Sequence, residues 1–298
     1  PRSRLRRNIK MPDKAEIEAY LAKHKLDACL QTAITELVKE GMPDNPLSVL
    51  AEKLQKMAGA PAAPAPAAVE TPFGFASGLP DCCTASPDLY KTIAEIPGVA
   101  RLVKMTFPPG AKDAPHEHPV HSMFFITDAK LKISGPPTPT KLGEEGGVAE
   151  IPAGAAPIFP AMAHQVENVG EAEGQAIFVE AFPNCKPCGD VEGYISPFAV
   201  SPGCYKILAE DDDWYTGMLT MDVGEKDEYH HHKDHLIYVL EGDGVTIWPG
   251  GDESAAMVVP LAPGAGIPAP MSAPPFASHV LVNSGTVPLK MAFFEAKK

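Results

Sequence analysis

The feature that most constrains this chain is an internal duplication. Ser86-Pro87-x-x-Tyr90-Lys91 returns as Ser201-Pro202-x-x-Tyr205-Lys206, 115 residues on. Gly110-x5-His116-x-His118-x2-His121 returns as Gly224-x5-His230-x-His232-x2-His235, 114 residues on. His164-x3-Asn168 returns as His279-x3-Asn283, and Phe178-x-Glu180-Ala181 as Phe293-x-Glu295-Ala296, both 115 on. A period of this length is a whole domain, far longer than a solenoid unit. Whatever one copy folds into, the other must fold into as well.

Each copy reads as short strands. In the first these are Arg101–Phe107, Met123–Ile126 and Ile177–Phe182; in the second, Met218–Val223, Leu236–Leu240 and Leu289–Phe294. Between them lie Gly and Pro, of which the 298 residues hold 25 and 33. That is too much punctuation for a mainly helical protein. Many short strands with regular turn signals predict a mainly β chain built of jelly-roll-type barrels.

Charge and composition narrow the partners. The net charge is −13 although the first ten residues carry five basic groups, so the body is strongly acidic. Such a surface repels phosphate backbones and excludes nucleic acid as the main partner. No run of eighteen apolar residues predicts a membrane span, and no secretory signal follows the basic stretch, so a cytoplasmic setting is expected. Six cysteines in no disulfide-rich pattern agree with a reducing compartment. Cys185-Lys-Pro-Cys188 has redox-motif spacing but lies in a Pro/Gly-rich connector and is read as loop packing. There is no Ser-His-Asp elbow, phosphate loop or dinucleotide fingerprint.

The N-terminal stretch differs in kind. Asp13 and Glu16 form a capping-box pattern, and Ile17, Tyr20, Leu21, Leu30, Ile34 and Leu37 recur near helical spacing. After the Met-Pro-Asp-Asn-Pro turn, Asn45 and Pro46 open a second helix whose apolar face is Leu47, Leu50, Ala51, Leu54 and Met57. Two such helices cannot bury both faces alone and need a partner, most simply a second copy. The segment Ala19–Met57 resembles the RIIα-type dimerisation/docking family and its Dpy-type relatives. The resemblance implies a homodimeric four-helix bundle whose groove, formed by Tyr20, Leu21, Leu30, Ile34, Leu37, Leu47, Leu50 and Leu54, accepts an amphipathic helix of a scaffold protein. It also implies a setting in ciliary or axonemal assemblies.

Nine of the ten histidines fall inside the duplicated blocks. Residues two apart on a strand face the same side, so His116 and His118 can both point inward, as can His230 and His232. A later strand supplies His164 or His279. Neutral imidazoles converging from two strands suit a divalent transition metal. The pattern resembles the cupin family: Gly-x5-His-x-His, then Pro152-Ala-Gly154…His164-x3-Asn168, and more loosely Pro263-Gly264…His279-x3-Asn283. The resemblance covers residues 86–298 and implies a bicupin. One departure matters. Cupin enzymes such as oxalate decarboxylases add a Glu ligand shortly after His-x-His, and neither copy has one. His121 and His235 stand near the missing position, and His231 competes with His230 or His232 for register. An all-His set suits iron, copper or zinc better than a manganese decarboxylase. Of the remaining inward candidates, Arg101 could hold an anionic substrate but is expected rather in an exposed salt bridge, Glu117 is expected to face outward, and Glu180 and Glu295 to mark strand ends.

The expected organisation is a basic tail over 1–12, the helical module over 13–58, a Pro/Ala-rich linker over 59–85, the first cupin over 86–184, a connector over 185–200 and the second cupin over 201–298. The leading expectation is a subunit of a larger, ciliary or axonemal assembly, docking a scaffold helix and presenting a bicupin body. The alternative is a metal-dependent bicupin enzyme of oxygenase or isomerase type, acting on a small organic acid or thiol. In that reading His116, His118, His121, His164, His230, His232, His235 and His279 are the metal candidates, with Fe, Zn, Cu or Mn as the ion in one or both copies. The sequence assigns no catalytic residue.

Overall fold

The computed structural model describes residues 73–75, 77–135, 146–183, 185, 191–273 and 276–297. The proposed dimerisation/docking module, with all its groove residues, lies outside them. No described helix is long and apolar enough to cross a membrane.

The first duplicated block forms nine strands: β1 (Tyr90–Ile96), β2 (Ala100–Phe107), β3 (His116–His118), β4 (His121–Phe125), β5 (Ala129–Ser134), β6 (Gly147–Ile151), β7 (Ile158–Phe159), β8 (Met162–Asn168) and β9 (Gly174–Ala181). A single turn of helix, α1 (Cys82–Ala85), precedes them, capped by the Asp81 side chain. A second, α2 (Pro197–Val200), leads into the other block. That block repeats the set as β10 (Tyr205–Glu210), β11 (Trp214–Met221), β12 (His230–His231), β13 (His235–Glu241), β14 (Gly244–Pro249), β15 (Met257–Pro260), β16 (Gly266–Ala269), β17 (Ser278–Val282) and β18 (Leu289–Ala296). The six strands expected from the sequence are all present, with ends shifted by at most four residues.

In each block a five-stranded sheet faces a four-stranded one. The first has orders β1-β2-β9-β4-β7 and β3-β8-β5-β6; the second has β10-β11-β18-β13-β16 and β12-β17-β14-β15. Apart from the extra edge strand β1 or β10, this is the strand order of an eight-stranded jelly roll, a double-stranded β-helix, made twice. Each barrel has its own apolar interior. Val103, Met105, Phe107, Phe125 and Phe178 fill the first; Leu219, Met221, Val239, Met291 and Phe293 fill the second.

The larger sheets are apolar on both faces, and this joins the barrels. The pleat sends Val103 and Met105 into barrel 1 and leaves Ala100 and Leu102 on its back. Leu102, Phe124, Ile177 and Val179 then pack with Trp214, Leu236, Tyr238 and Phe294 of the second barrel in one buried cluster.

The repeated polar residues anchor the histidine-bearing segments. Ser86 and Ser201 Oγ accept the backbone N–H of Ala114 and Glu228. The hydroxyls of Tyr90 and Tyr205 donate to Asp113 and Asp227. Asn168 and Asn283 each tie the turn that follows them to the end of β2 or β11. Gly110 and Gly224 have φ of 74° and 79°, where any side chain would be strained. The duplication therefore preserves a frame as well as the histidines.

Candidate metal centres

His116 and His118 lie on β3, which pairs with β8 so that His116 stands opposite His164. The Nε2 atoms of His116 and His118 are 2.8 Å apart, and those of His164 and His116 are 3.1 Å apart. In barrel 2, His230 pairs with His279 across β12 and β17, and the Nε2 atoms of His230 and His232 are 2.9 Å apart. Each trio, His116/His118/His164 and His230/His232/His279, is buried and brings one donor atom per residue within 4.8 Å of the others.

Hydrogen bookkeeping tests whether these trios fit an ion. His116 Nδ1 lies 2.8 Å from the carbonyl of Ala114, and His230 Nδ1 lies 2.7 Å from that of Glu228. A carbonyl only accepts, so both Nδ1 atoms carry the proton and both Nε2 atoms are bare. His118 Nδ1 donates to Glu180 Oε1 at 2.6 Å, and His232 Nδ1 to Glu295 Oε2 at 2.8 Å, which leaves their Nε2 atoms bare as well. Two facing lone pairs under 3 Å apart repel unless something positive lies between them. A proton on His164 Nε2 can serve one contact; a divalent ion serves all three. Donors held about 2.1 Å from one ion at right angles stand about 3 Å apart, which matches the spacing here. The residues present fit a transition metal bound by three neutral imidazoles.

Burial sets the protonation. It holds His116, His118, His121 and His232 below the usual histidine range, takes His164 down to about 2 and His235 to about 3, and lowers His230 further still. The imidazoles are thus neutral and ready to ligate at physiological pH.

The fourth histidine of each motif does something else. His121 and His235 stack beside their trios, with ring centroids 4.5 Å from His118 and 4.4 Å from His232. Their Nδ1 atoms donate to the carbonyls of Pro119 and Lys233. Neither belongs to the converging three. His231 points away: its Nδ1 accepts the N–H of Ile195, and its Nε2 lies 3.3 Å from the Tyr229 hydroxyl. The register ambiguity in the second copy thus resolves to His230 and His232.

Three residues depart from their sequence expectations. Glu180 and Glu295 do stand at the ends of β9 and β18, as expected, but both are fully buried. The pleat of β9 and β18 puts each on the same face as Phe178 or Phe293, inside the barrel, where it orients a histidine from behind. Burial pushes both carboxyls up, opposed by Arg101 and His121 at Glu180 and by His235 at Glu295. Arg101 is buried as well. It bridges Glu180 at 2.6 Å and Asp81 at 2.7 Å, and lies over the Phe73 ring. The signal for the Glu pair was present in the repeated Phe-x-Glu-Ala block; two-residue spacing from an apolar core position marks an inward side chain. Glu117 does face away from the trio and accepts the Ser77 hydroxyl.

The two carboxylates are held differently. Tyr215 occupies the place of Arg101, opposite Glu295 in the ladder as Arg101 is opposite Glu180. Glu295 Oε1 instead accepts from the Tyr194 hydroxyl at 2.8 Å and the Lys233 N–H at 3.1 Å.

No family model matches this chain, and no curated protein does. Solved structures similar to it include a cupin 2 conserved barrel domain protein from Leptotrichia buccalis, 14% identical with TM-score 0.41, covering 70% of this chain and 88% of that one. The oxalate decarboxylase of Bacillus subtilis is 14% identical with TM-score 0.45, covering 69% and 70%. The oxalate decarboxylase–formate complex of Lactobacillus farciminis is 15% identical with TM-score 0.44, covering 69% and 80%. The cupin-type barrel order of this chain stands on its own strand pairing.

Proposed function

We propose that this chain is a metal-dependent bicupin enzyme of oxygenase or isomerase type, with ion sites at His116/His118/His164 and His230/His232/His279 and its working centre in the second barrel. The observation that carries the reading is the convergence of bare Nε2 atoms with a buried carboxylate behind each trio. A structural relic has no need of facing lone pairs, and carboxylate–histidine pairs of this kind orient metal ligands. A bound divalent transition ion would supply Lewis-acid polarisation or oxygen activation. The chain's own residues do the rest. Glu295 keeps the proton of His232 on Nδ1, and the Glu228 carbonyl does the same for His230. The apolar walls exclude water. The hydroxyl of Tyr205 lies 3.4 Å from His230 Nε2 and donates to Asp227, which keeps that side of the trio in register.

The second barrel is favoured because, among the described residues, it has far more room beside its trio: about 350 Å³ against about 40 Å³ in the first. The scaffold-docking role expected of residues 13–58 has no support among the described residues.

Elemental analysis of the full chain tests the reading. After reconstitution with Fe, Zn, Cu or Mn in turn, at least one of these should bind at about one equivalent per trio. His116→Ala with His164→Ala should remove one equivalent, and His230→Ala with His279→Ala the other. A folded chain that retains none of the four metals overturns the proposal.

A further inference from the structure

The space beside the second trio is a built feature of that barrel. Its wall includes Val245, Ile247, Val259, Ile267, Phe276 and Met291. In barrel 1 the equivalent space is filled. Phe159 stands opposite His121 in the ladder; the residue opposite His235 is Ala269. Met162 pairs with His118, whereas the backbone carbonyl of Ala277 meets the N–H of His232. At the repeat offset, Phe125 becomes Val239 and Leu131 becomes Val245. Phe125, Leu131, Phe159 and Met162 all border the small space of barrel 1; with smaller groups at the matching places, barrel 2 holds a chamber of about 350 Å³, within the range of small-molecule sites.

The lining states the chemistry of the occupant. None of its side chains is charged. The polar groups are the Tyr205 hydroxyl, already donating to Asp227, and His232, His235 and His279. A carboxylate or ammonium carried along the ligand body would lose its water and gain no partner. His235 spends its Nδ1 proton on the Lys233 carbonyl, so its Nε2 is an acceptor. We propose that this chamber binds an uncharged, predominantly hydrocarbon molecule with one hydroxyl end, a phenol or alcohol, whose hydroxyl meets His235 beside the metal-directed imidazoles. This differs from the small organic acid or thiol of the sequence's alternative reading. It deepens the enzyme reading above and rests on it only for the ion next to the hydroxyl.

Calorimetric titration of the metal-stripped full chain with three probes of one skeleton tests it: 4-ethylphenol, 4-ethylbenzoate and 4-ethylbenzylamine. The phenol should bind, and each charged analogue should bind at least about tenfold more weakly. Val259→Phe and Ile267→Phe, both at half-buried wall positions, should each weaken the phenol about tenfold or more. Circular dichroism shows which variant remains folded. Methyl NMR of the wild-type chain gives a readout independent of folding: phenol should shift Val245, Ile247 and Ile267, and leave Ile133 and Ile151 of barrel 1 in place. Absence of phenol binding, equal or tighter binding of a charged probe, or methyl shifts confined to barrel 1 would overturn the proposal. Repeating the titration after incubation with each metal separates the two readings. Phenol held in the chamber of a chain that takes no metal keeps this inference and removes the enzyme one.

Discussion

Each metal-directed imidazole of β3 and its counterpart at 230–232 is held from both ends. Nε2 faces the trio, while Nδ1 is committed to a carbonyl or to a buried carboxylate. That second commitment is what Glu295 and Glu180 contribute. Glu295→Gln should keep the hydrogen bond but remove the charge, and lower metal affinity at the second site by about 10–100-fold, read by competition with a chelator. The protonation of these sites also sets how the metal-free chain responds to acid. His116, His118, His121, His164, His230, His232 and His235 are neutral when folded and protonate near pH 6.5 when unfolded. Below that pH the unfolded state binds more protons, so their contribution to stability falls as pH drops from 6.5, down to about 3 for His235. Burial raises Asp113 to about 6 and Asp227 to about 7, and raises Glu180 and Glu295, which runs the opposite way. Seven lowered histidines outnumber four raised acids. The unfolding temperature of the stripped chain should therefore be lower at pH 5 than at pH 7; a higher value would contradict the buried-neutral assignment.

At the scale of elements, the strand pairs show how one pattern gives two unequal barrels. β2 and β9 pair Val103 with Phe178; β11 and β18 pair Gly217 with Phe293 at the matching place. A methyl group added at Gly217 would overlap the Phe293 ring. Gly217→Ala should thus push that ring toward the chamber and cost about 1–3 kcal/mol, seen as a lower denaturant midpoint. The strands themselves were legible, because period-two alternation and Gly/Pro punctuation are local. So was the inward direction of the His-x-His pairs, which follows from the pleat. The Glu pair was missed because its position near the end of the block suggested a strand terminus. The same alternation, counted two residues on from Phe178 or Phe293, places it in the interior.

At the scale of the molecule, the two barrels share a core built from the backs of their five-stranded sheets. Phe294 and Leu236 on one side, with Leu102 and Ile177 on the other, have no exposed surface. The two barrels should unfold in one transition, and Phe294→Ala should lower it by about 3–5 kcal/mol, with no separate melting of barrel 1 in calorimetry. The assembly state belongs to this scale too. If residues 13–58 dimerise as their resemblance to the docking family implies, light scattering should give a dimer for the full chain and a monomer after their removal.

The sequence by itself determined the duplication, the strand rhythm, the inward-facing histidine pairs and a set of four candidate histidines in each copy. These depend on spacing within one strand or on exact repetition, and both can be read along a line. Only the tertiary structure decided which three histidines converge, that Glu180, Glu295 and Arg101 are buried, that the barrels share a core, and that among the described residues the larger chamber beside a trio is in the second barrel. Those outcomes depend on distances between strands far apart in sequence and on the volume left when side chains from several of them pack together. A Phe at 159 and an Ala at 269 look alike as punctuation in a β pattern; only when each is set opposite its histidine does one fill a barrel and the other leave room for a ligand.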